Sequence, residues 1–161
     1  MGTKRKVWLG ALVALLVTQT NVRADVLPNA QAEVNRIVAK LAHDEIVRVD
    51  ILSVPSRILT RTRITPEMLD AQFSYRLTIS DVRGDIYRNA LLRAAKSISV
   101  QPRNEPVDLR WAAIFYSVNG ARVGAFYFDK NGSSGAVDSE PVSFSGDFFK
   151  WLNEDFSACF R

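Results

Sequence analysis

Cysteine and histidine are almost missing from this chain: Cys159 and His43 are the single copies of each. One cysteine forbids a disulfide within the chain, so the fold has to be held by burial rather than by the bridges common in small exported domains. One histidine and one cysteine cannot supply the imidazole and thiolate sets on which zinc and copper sites are built. Any Ser-His-Asp or Cys-His arrangement would have to pass through His43. That residue follows an apolar-periodic stretch, where an imidazole suits the exposed carbonyls and the dipole at a helix end. It therefore reads as a helix cap. Cys159, within Phe156-Ser157-Ala158-Cys159-Phe160, reads as a small buried apolar residue. No catalytic residue, metal ligand or cofactor is assigned.

Long hydrophobic runs are also lacking. The longest, Val7 to Val17, has 11 residues, against about 20 for a membrane-spanning helix. It follows Lys4-Arg5-Lys6 and leads to Val22-Arg23-Ala24. Positive start, short apolar middle and small-residue exit form the pattern of a secretory signal peptide. The expectation is cleavage after Ala24, a single domain over residues 25–161 and no stable membrane insertion afterwards. Without disulfides, a bacterial periplasm fits better than an extracellular space, although Asn131-Gly132-Ser133 is a glycosylation sequon.

The leader carries most of the apparent charge. Its removal takes four of the 21 basic residues and none of the 17 acidic ones, leaving a neutral domain. Nucleic-acid binding draws on Lys and Arg to neutralise phosphates, so no nucleic-acid partner is expected. What charge remains is unevenly placed. Residues 25–103 hold 12 basic and 9 acidic side chains, and residues 104–161 hold 5 and 8.

Periodicity places the elements. Asn29 caps a helix whose Val34, Ile37, Val38 and Leu41 share a face. Ile46 to Val54 reads as a strand, Ser56 to Ile64 has no clear state, and Thr65-Pro66-Glu67 starts a short helix. Phe73 to Asp81 alternates apolar and polar residues as a strand with one packed face. Asp85 to Ser97 is helical, with Tyr87, Leu91 and Ala94 in its stripe, and Val100 to Asp108 is a connector. A three-stranded meander follows: Leu109 to Ser117, an Asn119-Gly120 turn with both residues at positive φ, Val123 to Phe128, and a short strand from Gly135 to Asp138. Ser145 caps a last helix to Phe156. The class is α+β, an antiparallel sheet with helices packed mainly on one face.

Three sets of residues invite a functional reading. Arg57, Arg61 and Arg63 crowd the irregular segment, and Arg48 and Arg76 lie on polar strand faces. Arg61, Arg63 and Arg76 could then line a pocket for a carboxylate or phosphate, which guanidinium groups grip in a fork. In the meander, Tyr116 and Tyr127 have the opposite parity to Phe115, Phe126 and Phe128, so both sheet faces carry aromatic surface, and exposed Tyr is a typical interface anchor. Among carboxylates, Asp129 and Asp138 flank a turn and could converge, whereas Asp44-Glu45 and Glu154-Asp155 are adjacent and diverge. Asp129-Lys130-Asn131-Gly132-Ser133 resembles a calcium loop in ligand spacing but has Ser134 where the EF-hand needs Gly; it reads as a polar turn.

The sequence favours a non-enzymatic binding protein of the cell envelope, of the neutralising-inhibitor or immunity type, whose partner is another protein. Two alternatives stay open: a small-ligand or anion-binding domain with hydrolytic potential, and a self-associating structural component of the envelope.

Overall fold

The computed structural model describes residues 29–160; the leader expected over residues 1–24 lies outside the described residues. The first helix, α1 (Ala30–Ala42), forms where its cap and stripe require. Asn29 Oδ1 accepts the amide of Gln31, Glu33 and Lys40 suit the dipole, and Val34, Ile37 and Leu41 are buried. His43 closes it, with Nδ1 2.7 Å from the Ala39 carbonyl oxygen, the cap position its spacing indicated.

Next come β1 (Ile46–Ser53), α2 (Pro66–Ala71), β2 (Tyr75–Ile79) and α3 (Asp85–Lys96). Thr65 caps α2 by accepting the amide of Met68, with Pro66 in the first turn. They are followed by β3 (Ser99–Pro102), β4 (Trp111–Ser117), β5 (Arg122–Phe128), β6 (Ser134–Val137), β7 (Glu140–Ser145) and α4 (Phe148–Phe156). The seven strands form one antiparallel sheet in the order β2-β1-β4-β5-β6-β7-β3. The class is α+β as expected, but the C-terminal meander has four strands rather than three, and the connector contains a strand. Both additions hide behind proline: β3 ends on Pro102 and β7 begins Glu140-Pro141. Proline removes a ladder donor and demotes a strand signal.

Sheet order explains the layering. The chain leaves edge strand β2, crosses beneath the sheet as α3, and reaches the far edge at β3. Residues 103–110 then return it to the centre. Helices α1, α3 and α4 cover the first sheet face, where Val34, Leu91 and Leu152 meet Ile51, Phe115 and Phe126. The second face is covered by α2 and residues 54–64, through Leu69, Ile64 and Val54 against Ala112, Ile114 and Tyr127, and by the returning connector.

Two local expectations change. Gly120 has φ +78, but Asn119 has no positive φ. The link is a three-residue loop, with Gly120 N donating to Ser117 O and Ser117 N donating to Ala121 O. The glycine takes the left-handed position that closes such loops, and this register sets Tyr116 opposite Arg122. Ser145 does not cap α4; it pairs with Ser99 in the sheet. Asp147 occupies the cap position without a side-chain cap bond. Between them Gly146 sits at φ +110, where a Cβ would fall 2.2 Å from the Ser97 carbonyl oxygen. Sheet pairing takes precedence because it satisfies backbone groups along the edge.

Phe148 is the centre of the first-face core. Its ring lies 5.4 Å from Phe126, 5.8 Å from Phe128, 6.4 Å from Phe115 and 5.4 Å from Trp151, and it is 1% exposed. Truncating such a residue removes its transfer energy and leaves a cavity. Phe148→Ala is expected to cost about 3–5 kcal/mol in urea denaturation. A loss below about 1 kcal/mol would show that α4 does not anchor the fold.

Candidate functional site

The second sheet face carries a cross-strand row of polar residues. Register places Arg48 of β1 opposite Tyr116 of β4, and Tyr116 opposite Arg122 of β5. Asp50, one step along β1, lies opposite Thr78 of β2. The guanidinium carbon of Arg48 sits 3.9 Å from the Tyr116 ring centroid, a stacked cation–π arrangement.

Asp50 is 1% exposed and would be costly there without partners. Arg76 Nη2 donates to its Oδ2 at 2.5 Å, Thr78 Oγ1 donates to its Oδ1 at 2.9 Å, and Arg48 Nε lies 3.7 Å from that oxygen. Two arginines thus share one buried carboxylate, and this corner keeps an excess of positive charge. Nearby, Asp70, Tyr127 and Arg122 close a triangle. Tyr127 Oη donates to Asp70 at 2.8 and 2.9 Å, Arg122 Nη1 donates to Asp70 at 2.6 Å, and Arg122 Nη2 donates to Tyr127 Oη at 2.6 Å.

Burial, with Asp70 adding, raises the Tyr127 phenol well above its ordinary value. Burial alone would lower Arg122, but its bonds to Asp70 and Tyr127 outweigh that and raise it. A fully buried phenol raised in this way keeps its proton at neutral pH and meets no solute. The triangle ties α2 to the sheet.

Of the residues singled out in the sequence, Arg76 and Tyr116 come together, lining a depression of about 100 Å³ with Asp50, Asp70, Phe73 and Arg122. Tyr127 lies beneath α2 and presents no surface. Arg63 lines a separate crevice of about 50 Å³ beside Pro106 and Pro141, and Arg61 is exposed in the irregular segment. Residues 54–64 form no strand, so Arg61 and Arg63 do not continue the face that carries Arg76. Asp70 and Arg122 were missed; the Asn119-Gly120 register is the one sequence signal that points to Arg122.

Asp129 and Asp138 do not converge, because they occupy turns at opposite ends of β6. Asp129 Oδ1 accepts the amides of Asn131 and Ser134, as a polar turn requires. Asp44 pairs with Arg88 at 2.8 Å and Glu45 with Lys40 at 2.6 Å. Among the described residues no group of three or more His, Cys, Asp or Glu could hold a metal ion. Cys159 is exposed, not buried: the apolar stripe of α4 stops at Phe156, and the following 3-10 turn carries the thiol outward. Tyr87 and Phe73 are likewise exposed beyond expectation, at the start of α3 and beside the sheet edge.

The fold and this face define an α+β domain with a half-covered polar sheet face. The chain matches no family model, no curated protein and no solved structure.

Asp138 supplies a pH test. Burial, and then the negative charge of Glu33, raise its carboxyl above the ordinary value, against the opposing Ala125 amide and the Arg122 and Arg36 charges. A raised folded pKa means that the unfolded chain ionises first, so stability is lost as pH climbs through the ordinary carboxylate range and up to the folded value. Asp138→Asn keeps an acceptor for the Ala125 amide and tolerates the φ of +51. The variant is expected to gain stability relative to wild type between about pH 3.5 and pH 7, read as melting temperature. A difference that stays flat or shrinks over that range would contradict the assignment.

Proposed function

We propose that this chain is an exported, non-enzymatic binding protein of the cell envelope whose interface is the uncovered corner of the second sheet face, and that its partner is a protein presenting acidic side chains there. The observation that carries this reading is the Arg48–Tyr116–Arg76 corner, where two partly exposed arginines compensate one buried carboxylate beside an aromatic ring. Arg and Tyr are the residue types that dominate interface energetics. The excess positive charge favours an acidic patch opposite, which speeds and orients association.

Apolar surface beside the corner supports the same reading. Phe73 and Ile58 are exposed along the flanks of α2, and Leu59 is 94% exposed. Single exposed apolar residues are ordinary; Phe73 and Ile58 on one short helix's flanks, with Leu59 following Ile58 in the chain, suit an interface rim. The rigid sheet beneath lowers the ordering cost of association. The leader pattern in the sequence supports the envelope location.

The test uses the protein as bait in an envelope extract, with Arg48→Ala/Tyr116→Ala in parallel and Lys96→Ala as a control on the other side of the molecule. A partner retained by wild type and by the control is expected to bind the double variant at least about 30-fold more weakly, the consequence of losing roughly 2 kcal/mol at a hot spot. Undiminished binding by a double variant of normal melting temperature would overturn the proposal.

A further inference from the structure

At the end of the sheet where β1 finishes and β4 begins lies a cavity of about 270 Å³. It is separate from the polar sheet face. Its walls come from the start of the irregular segment after β1, from Arg110 and Trp111, from Lys130 of the β5–β6 turn, and from the C-terminal end of α4. Three cations line it (Arg57, Arg110 and Lys130), and no carboxylate does.

The three cations are not equivalent. Arg110 is 8% exposed and spends its donors inside the protein. Its Nε and Nη2 donate to Asp108 Oδ2, and Nη1 donates to the Ile58 carbonyl oxygen at 2.9 Å. It is thereby neutralised and held rigid. Arg57 and Lys130 have neither an ion-pair nor a hydrogen-bond partner among the described residues, and both are exposed. An adjoining cleft of about 260 Å³ shares Ser56, Arg110 and Lys130 and adds Asp108 and Asp129. Those carboxylates are already engaged, Asp108 by Arg110 and the Ile64 amide, and Asp129 by amides of its own turn. Neither forms an ion pair with Arg57 or Lys130.

A second observation points inward. Ser53 lines the cavity with a hydroxyl-bearing side chain, and the residue is 2% exposed. Asn153 and Ser157 add further donors at the rim. We infer that this cavity binds a small organic oxyanion, a carboxylate or phosphate group on a compact polar molecule. Arg57 and Lys130 hold its charge from the solvent side, the Ser53 hydroxyl donates from the base, and the Trp111 ring forms the apolar wall. The volume is just below the range of about 300–1,000 Å³ that holds drug-sized ligands, which suits a metabolite-sized anion.

The site makes no use of Arg48, Arg76 or Tyr116, so it stands or falls apart from the protein-binding reading. The full-length protein is titrated by calorimetry with inorganic phosphate, glycerol 3-phosphate and succinate at about 150 mM salt, where screening suppresses loose attraction to surface charge. At least one probe is expected to bind with a dissociation constant below about 1 mM, and the responding probe tells a phosphate site from a carboxylate site. Arg57→Ala/Lys130→Ala is expected to weaken that binding at least about 30-fold, the loss of two charge-assisted hydrogen bonds, with the melting temperature of the free protein unchanged. Ser53→Ala should weaken it less, about 5-fold, and Arg48→Ala/Tyr116→Ala should leave it intact. Absence of binding by all three probes up to about 10 mM, or equal binding by wild type and Arg57→Ala/Lys130→Ala, would overturn the inference.

Discussion

The packing of Phe148 between α4 and the central strands is the constraint on which the rest of the structure depends. With no disulfide available, apolar burial has to order a wide sheet, and the aromatic rings of β4, β5, β7 and α4 supply much of that area. Phe128 meets Phe144, Phe148 and Phe149 at 4.5, 5.8 and 5.5 Å. Strand β7, the α4 N-terminus and the centre of the sheet are thus fixed around one ring. Rings at these separations in tilted and edge-on poses add to simple area burial. Because α4 docks there, its C-terminal end is held beside the β1 terminus, and the cavity lined by Ser53, Arg57 and Lys130 exists as a consequence.

The second face follows different physics. It is covered by short segments and a six-residue helix, whose few apolar contacts are supplemented by charge pairing. The Asp70–Tyr127–Arg122 triangle fastens α2, and Asp108 with Arg110 fastens the segment after β1, Arg110 Nη1 reaching the Ile58 carbonyl oxygen. Where neither segment reaches, Asp50 is kept in place by arginines that themselves face solvent. A buried carboxylate of this kind contributes little net stability but fixes the geometry of the groups around it. The same pairing that makes Asp50 tolerable therefore displays Arg48 and Arg76 as a rigid, slightly positive corner.

Legibility in the sequence tracked how local each determinant was. The α1 cap and stripe, the Thr65-Pro66 start and the opposed parity of Phe115 and Tyr116 all depend on residues a few positions apart, and they fold as read. Strands β3 and β7 were not legible, because each carries a proline, and the four-residue β3 gains its ladder only from β7, some 40 residues further along the chain. Ser145 looked like a helix cap because the sequence shows its neighbours but not Ser99, 46 residues away, to which its Oγ donates. Cys159 was misplaced because a change from α to 3-10 geometry at Ser157 turns the stripe by an amount that periodicity does not reveal.

The sequence by itself determined the secondary-structure alphabet, the α+β class and the reliance on burial, since each follows from residue type and short-range spacing. Tertiary structure alone decided the sites. Whether an arginine is free or neutralised depends on which carboxylate the topology brings within about 4 Å. Arg48 and Arg76 converge on Asp50 through strand pairing, and Arg57 and Lys130 come together across a cavity from segments 73 residues apart. Arg61 and Arg63, two positions apart in the chain and alike in charge, acquire no such company.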